Sequence, residues 1–193
     1  MKSVGLLGGS FDPPHKGHLY ISLEAKKILK LDEIWWLVTP QNPLKIAKPA
    51  TYEERIKNCH AITKRLPIKV TDIEYKINSS YSYESLNFIQ NYYKNIKFYW
   101  LMGADNLINF HQWQKWRDIF NDISIVVFRR HGYNNKALNS VTTKIFSQFQ
   151  VIANPIKQSY FKQLPSWTWI NNREIKISST EIRKQRELLG GSY

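Results

Sequence analysis

Cysteine is almost missing from this chain. A single residue, Cys59, among 193 excludes an internal disulfide framework and points to a reducing compartment. Long apolar runs are missing too. No stretch approaches the roughly eighteen residues that span a bilayer, and Met1-Lys2-Ser3 leads straight into a predicted strand with no signal-peptide core. We therefore expect a cytoplasmic protein with no membrane contact. Repeats, low-complexity tracts and linkers are also lacking, which fits one domain over residues 1–193, with a C-terminal helical part from about residue 171. Acidic residues are scarce: 15 Asp and Glu face 28 Lys and Arg, a net charge of +13. Such an excess suits nucleic acid or small polyanions. The lysines are spread along the chain without an arginine-rich tract or basic tail, which favours small polyanions and no nucleic acid.

Apolar residues make up 42% of the chain, enough for a globular core. The most informative stretch is Gly8-Gly9-Ser10-Phe11-Asp12-Pro13-Pro14-His15-Lys16-Gly17-His18. An apolar run, Val4–Leu7, precedes it, and a helical pattern, His18–Lys30, follows. Strand, glycine turn and helix is the layout in which backbone N–H groups and a helix N-terminus meet a phosphate. His15 and His18, three apart, fall on one side of the first turn. The stretch has neither the lysine of a P-loop nor the glycine spacing of a dinucleotide fingerprint. A structural turn with exposed imidazoles is the plain alternative.

Further strands are predicted at 33–38, 68–71, 97–102, 123–128 and 167–170. Helices are predicted over 51–64, capped by Thr51, from Ser80 or Ser82 with Leu86, Ile89 and Tyr93 inward, near 141–149, and from Ser179. A strand is expected about Val151. Alternating strands and helices predict an α/β fold, a Rossmann-like doubly wound, mostly parallel sheet with helices on both faces. Its ligands would sit beyond the carboxyl ends of the strands. Trp35 and Trp36 read as sheet core, and Cys59, His60, His111 and His131 as non-catalytic. Trp113 and Trp116, three apart, offer a stacking face or a shared core face. Near the C-terminus, Ile177-Ser178-Ser179-Thr180-Glu181-Ile182-Arg183 carries a capping box, Ser178 with Glu181. Its hydroxyls, free N–H groups and arginine would grip a polyphosphate; an ordinary capped surface helix is the alternative.

Gly8–His18 and Ile177–Arg183 together resemble the paired signatures of the nucleotidyltransferase superfamily with the His-x-Gly-His motif. Within it the chain is most similar to the bacterial nicotinate mononucleotide adenylyltransferases. Ser10 stands where that family has threonine and keeps the hydroxyl. Ser80-Tyr81-Ser82 with Leu86, Met102-Gly103-Ala104-Asp105-Asn106-Leu107 with Phe110 and Trp113, and Arg129-Arg130-x-Gly132-Tyr133 match in order. Pro43-Leu44-Lys45 lacks the family's histidine, and Gln114 departs from its aromatic or histidine.

The resemblance implies transfer of the adenylyl group of ATP, with Mg²⁺, to nicotinate mononucleotide in NAD biosynthesis. It implies His18, His15 and Arg183 as catalytic. It implies an ATP site from Gly8, Gly9, Ser10, Phe11, His15, His18, Lys45, Gly103, Asp105, Ser178, Ser179, Thr180 and Arg183. Ser82, Asp105, Trp113 and Arg130 would hold the mononucleotide. The metal would have no protein ligands and ride on the substrate phosphates. A homo-oligomer stays open. So do two rivals: another adenylyl- or cytidylyltransferase of the superfamily, such as the pantetheine-phosphate type, and a basic RNA-binding module.

Overall fold

The computed structural model describes residues 1–41, 50–152 and 156–189. Its sheet has six strands, β1 (Lys2–Gly9), β2 (Glu33–Val38), β3 (Ile68–Thr71), β4 (Ile96–Gly103), β5 (Ser124–Phe128) and β6 (Trp167–Ile170), in the order β3-β2-β1-β4-β5-β6. All pairings are parallel. The helices are α1 (Lys16–Leu29), α2 (Tyr52–Thr63), α3 (Ile73–Lys76), α4 (Ser82–Tyr92), α5 (Ala104–Asn109), α6 (Trp116–Asp122), α7 (Asn134–Leu138), α8 (Val141–Ile145) and α9 (Ser179–Leu188). This is the Rossmann-like arrangement expected. Among the described residues no helix is long and apolar enough to cross a membrane.

Period-2 alternation divides each strand between two cores. Val4, Leu6, Trp35, Trp100, Met102 and Val127 face a cluster completed by Leu86 and Ile89 of α4, Leu107 of α5 and Phe120 of α6. Leu7, Ile34, Trp36, Leu101, Val126 and Phe128 face the other, with Ala25 and Leu29 of α1 and Cys59 of α2. Both faces are covered, which is why the strands read as nearly unbroken apolar runs. Chain direction across the sheet reverses between β1 and β4, and the crevice outside their carboxyl ends is the ligand position of such a fold.

Several expectations change. Helix α1 starts at Lys16 because His15, in extended backbone, caps it. Helix α4 opens at Ser82, one of the two expected starts, without a side-chain cap: its N-cap is Tyr81, whose N–H donates to Ser79 Oγ at 3.1 Å. The helix expected near 141–149 is α8 plus a separate 3-10 turn, Ser147–Phe149. The strand expected about Val151 is only an isolated bridge, Gln150 to Trp167.

Glu74 of α3 is 2% exposed. One oxygen accepts from Ser85 Oγ at 3.1 Å, the Thr39 side chain also bonds the carboxyl, and Oε2 has no partner among the described residues. Burial pushes its pKa from 4.5 up to about 7. Between those values the folded chain holds a proton that the unfolded chain has lost, so stability falls as pH rises through that window. Glu74→Gln removes the charge. We expect urea unfolding at pH 5 and pH 8 to show a smaller loss of stability in the variant; equal losses would mean that Glu74 is ionised throughout.

Candidate active site

The site begins with an exchange of hydrogen bonds at the start of α1. His15 Nδ1 accepts from Gly17 N–H at 3.1 Å, and His18 Nδ1 accepts from His15 N–H at 3.2 Å. The rings stack with centroids 3.8 Å apart. A ring nitrogen that accepts carries no proton, so each imidazole is the neutral tautomer with its proton on Nε2. Burial first, then the charge of Arg130, push the His15 pKa down to about 4. Gly17 has no room for a side chain: a Cβ there would lie 2.9 Å from the His15 ring and 3.1 Å from Ile177. The glycine between the histidines thus lets the C-terminal segment approach.

That approach joins the two sequence motifs. Ser179 Oγ donates to the Pro13 carbonyl at 3.0 Å. Arg183 Nη1 donates to the Asp12 carbonyl and lies 3.4 Å from Asp12 Oδ2, and its Nη2 donates to Thr180 Oγ1 at 3.3 Å. Ser178 Oγ accepts from Glu181 N–H at 3.2 Å and donates to Glu181 Oε2 at 2.9 Å. The cap is therefore the Ser178 half of the expected box. Asp12 is buried, and Oδ1 also accepts from Ala50 N–H at 3.3 Å. Phe11, at φ 48°, turns the chain there in the left-handed region, its ring stacked on Trp36 at 4.5 Å. A bulky residue in that conformation costs energy and is held by its surroundings.

The ends of β4 and β5 supply the second half. Arg130 Nη1 and Asp105 Oδ2 are 2.5 Å apart, and Asp105 Oδ1 is buried without a partner among the described residues. A Cβ at Gly103 would lie 2.5 Å from that oxygen. The neighbouring Arg129 turns the other way, to Glu174 at 2.9 Å. Glu174 also accepts from Asn134 Nδ2 at 2.7 Å, which anchors the segment leading into α9. Gly132, at φ 80°, makes the turn after these arginines.

Trp113 is not on a helix with Trp116. It follows the 3-10 turn Phe110–Gln112 in extended backbone, and Trp116 opens α6. Trp116 is buried core; Trp113 is half-buried, edge-on to Trp100 at 6.3 Å. Trp100 in turn fills the space where a Gly8 Cβ would stand, at 2.8 Å. So Phe11, His15 and His18 gather beside Ser178, Ser179, Thr180 and Arg183 through the Asp12, Pro13 and Gly17 contacts, and Gly8, Gly9 and Ser10 lead into them along the chain. Gly103, Asp105 and Arg130 form a second group, whose charges reach His15. Ser82 is the first residue of α4. Lys45 and the Leu44 departure lie outside the described residues. Asp12 had no role in the sequence reading. Its signal was its place inside the Gly8–His18 motif, where an acid beside expected phosphates needs a cationic partner. Cys59 is buried and its thiol is pushed up to about 12, which leaves it inert.

A family model described as cytidylyltransferase-like matches residues 6–185. The chain is 43% identical over 183 residues to a probable nicotinate-nucleotide adenylyltransferase of Ruegeria sp. (strain TM1040), covering 95% of this chain and 97% of that one. It is 38% identical over 185 residues to the corresponding protein of Agrobacterium fabrum (strain C58 / ATCC 33970), covering 95% and 99%. Among solved structures, it is similar in fold to the Plasmodium falciparum nicotinic acid mononucleotide adenylyltransferase complexed with NaAD. The TM-score is 0.72 and the identity 20%, over 95% of this chain and 83% of that one.

The histidine geometry makes a prediction independent of any ligand. In an NMR titration His15 should stay neutral at pH 5, protonate near pH 4 and carry its proton on Nε2 at pH 7. A midpoint near 6.5 would contradict the cap. Because the unfolded chain binds this proton between 4 and 6.5 and the folded chain does not, His15 makes stability rise with pH there, opposite to Glu74.

Proposed function

The chain belongs to the nicotinate-nucleotide adenylyltransferase family, within the cytidylyltransferase-like group, and from that premise we propose that it transfers the adenylyl group of ATP to nicotinate mononucleotide. A phosphate oxygen of the mononucleotide attacks the α-phosphorus. The bond from that phosphorus to the bridging oxygen breaks, and pyrophosphate leaves with the electron pair. The products are nicotinate adenine dinucleotide and pyrophosphate, a step of NAD biosynthesis.

The observation that carries this reading is the direct joining of the two phosphate motifs, Ser179 to Pro13 and Arg183 to Asp12. With Ile177 against Gly17, it brings the N-terminus of α9 toward that of α1, and a helix N-terminus favours anions. We assign the α-phosphate to His18 and the adjoining phosphate oxygens to His15 and Ser10, with close backbone approach at Gly8, Gly9 and Phe11. The departing phosphates go to Ser178, Ser179, Thr180 and Arg183, with Lys45 as a further cation. The attacking phosphate is already ionised, so no general base is needed. Neutral Nε2–H donors suit this chemistry: they stabilise charge as it builds and give up no proton. The partnerless Oδ1 of Asp105, above Gly103, is an acceptor for a ribose hydroxyl. Trp113 offers a ring to the pyridine, Ser82 meets its carboxylate at the start of α4, and Arg130 completes that side.

Mg²⁺ enters as part of MgATP. Among the described residues no three His, Cys, Asp or Glu side chains gather as a metal site. Magnesium readily keeps waters and phosphate oxygens as its ligands, so the triphosphate would carry it.

The deciding assay supplies MgATP with nicotinate or nicotinamide mononucleotide and follows pyrophosphate. Release with the acid is expected; none with either would end the reading. His18→Ala should lower kcat by about 10²–10³-fold, the loss of one preorganised donor, with folding retained; near-normal turnover would remove His18 from the mechanism. Trp113→Ala should raise KM for the mononucleotide far more than for ATP, by about 1–3 kcal/mol if the ring stacks as aromatics do on bases. Equal changes in both KM values would make Trp113 core alone.

A further inference from the structure

Arg55 lies on the first turns of α2, between Glu53, Glu54 and Lys57, yet it is only 1% exposed. Its Nε donates to the Ala50 carbonyl at 3.0 Å. Nη1 donates to the carbonyls of Ser10 and Thr39, both at 2.7 Å, and Nη2 donates to that of Pro40 at 2.6 Å. All four acceptors are neutral main-chain oxygens. Among the described residues the guanidinium forms no ion pair with a carboxylate. Asp12 is near enough to favour its charge, but that carboxylate is held by Arg183. Burial pulls the Arg55 pKa down, though an arginine starts high enough to remain charged.

A buried cation is ordinarily matched by an anion, because leaving charge in a low-dielectric interior is costly. Here the matching groups are carbonyls, Ala50 just before α2 and three at two strand exits. Ser10 follows β1, and Thr39 and Pro40 follow β2. Both segments have left the ladder, with Thr39 N–H donating to the Gly9 carbonyl at 3.0 Å as the last sheet-like bond. Beyond it, the planar fork of Arg55 fixes the distance between the two exits. A lysine could not, since it offers a point charge on a flexible stem.

We propose that Arg55 is a positioning residue for ATP. By tying the Ser10 carbonyl to the exit of β2, it holds the Ser10 hydroxyl and the neighbouring amides in one arrangement toward the phosphates before ATP arrives. Its unpaired charge stands behind that loop, and its anion is the triphosphate itself. This rests on the reading that the loop binds ATP phosphates.

The test uses Arg55→Lys and Arg55→Gln in the full chain, with thermal melting, calorimetric binding of ATP alone, and steady-state kinetics. Both variants should melt cooperatively. ATP should bind about tenfold more weakly or worse, and kcat should fall by about tenfold to a hundredfold, the scale of a small misplacement of reacting groups. KM for the mononucleotide should stay within about twofold. A lower melting temperature with unchanged ATP affinity and turnover per folded molecule would overturn the assignment. So would equal weakening of both substrates. Failure of both variants to fold would make Arg55 a scaffold residue and overturn it too. A wild-type protein that binds ATP but turns over neither mononucleotide would instead count against the proposed reaction, because the ATP-binding arm needs no acceptor.

Discussion

Everything at the carboxyl edge of the sheet depends on how α1 begins. A helix start leaves backbone donors without partners, and here imidazoles take them up where Ser, Thr or Asp is usual. Capping uses the Nδ1 lone pair of each histidine, which fixes both tautomers and leaves the ring proton of each on Nε2. Stability and chemistry thereby draw on the same bonds. The cap also demands glycine at position 17, because the His15 ring and Ile177 occupy the space of its side chain. The C-terminal segment can then settle on the Asp12-Pro13 carbonyls.

The elements that were legible in the sequence are those whose pattern is local. The runs Glu33–Val38, Ile68–Thr71 and Trp167–Ile170 appear as strands with the expected bounds, since buried parallel strands are dense in β-branched and aromatic residues. Thr51 caps α2 as its first-turn acids suggest. The short helices α3, α5, α6 and α7 were not legible. Each has only four to seven residues, too few for helical periodicity, and is held by packing on the sheet. Trp113 and Trp116 show the same limit: spacing of three suggests one face, but a positive φ of 49° at Lys115 breaks the helix between them.

The pairing of the two phosphate motifs was readable only as a family likeness. One hundred and sixty-six positions separate Pro13 from Ser179, and no local pattern can announce a contact at that range. The two adjacent arginines are a second case. Arg129 anchors the approach to α9 through Glu174, while Arg130 turns to Asp105. Successive residues leaving a strand point to opposite sides, so the pair reads as one motif in sequence and divides into two tasks in space.

The charge of the site follows from these pairings. Two of its carboxylates, Asp12 and Asp105, each have an arginine of their own, and a third, Glu181, is bonded to Ser178. The histidines are neutral and contribute dipoles only. Against that one acidic group stand the buried charge of Arg55 and the N-termini of α1 and α9, all positive. On the proposed function, such an arrangement would attract a polyphosphate without placing a mobile base or nucleophile beside it. The lysines and arginines are spread along the chain, whereas the charges beside Gly8–His18 are fixed by main-chain carbonyls, two ion pairs and a helix cap. Adenylyl transfer between two ionised phosphates needs that kind of site, because its barrier lies in bringing like charges together and stabilising the charge that moves to the leaving group.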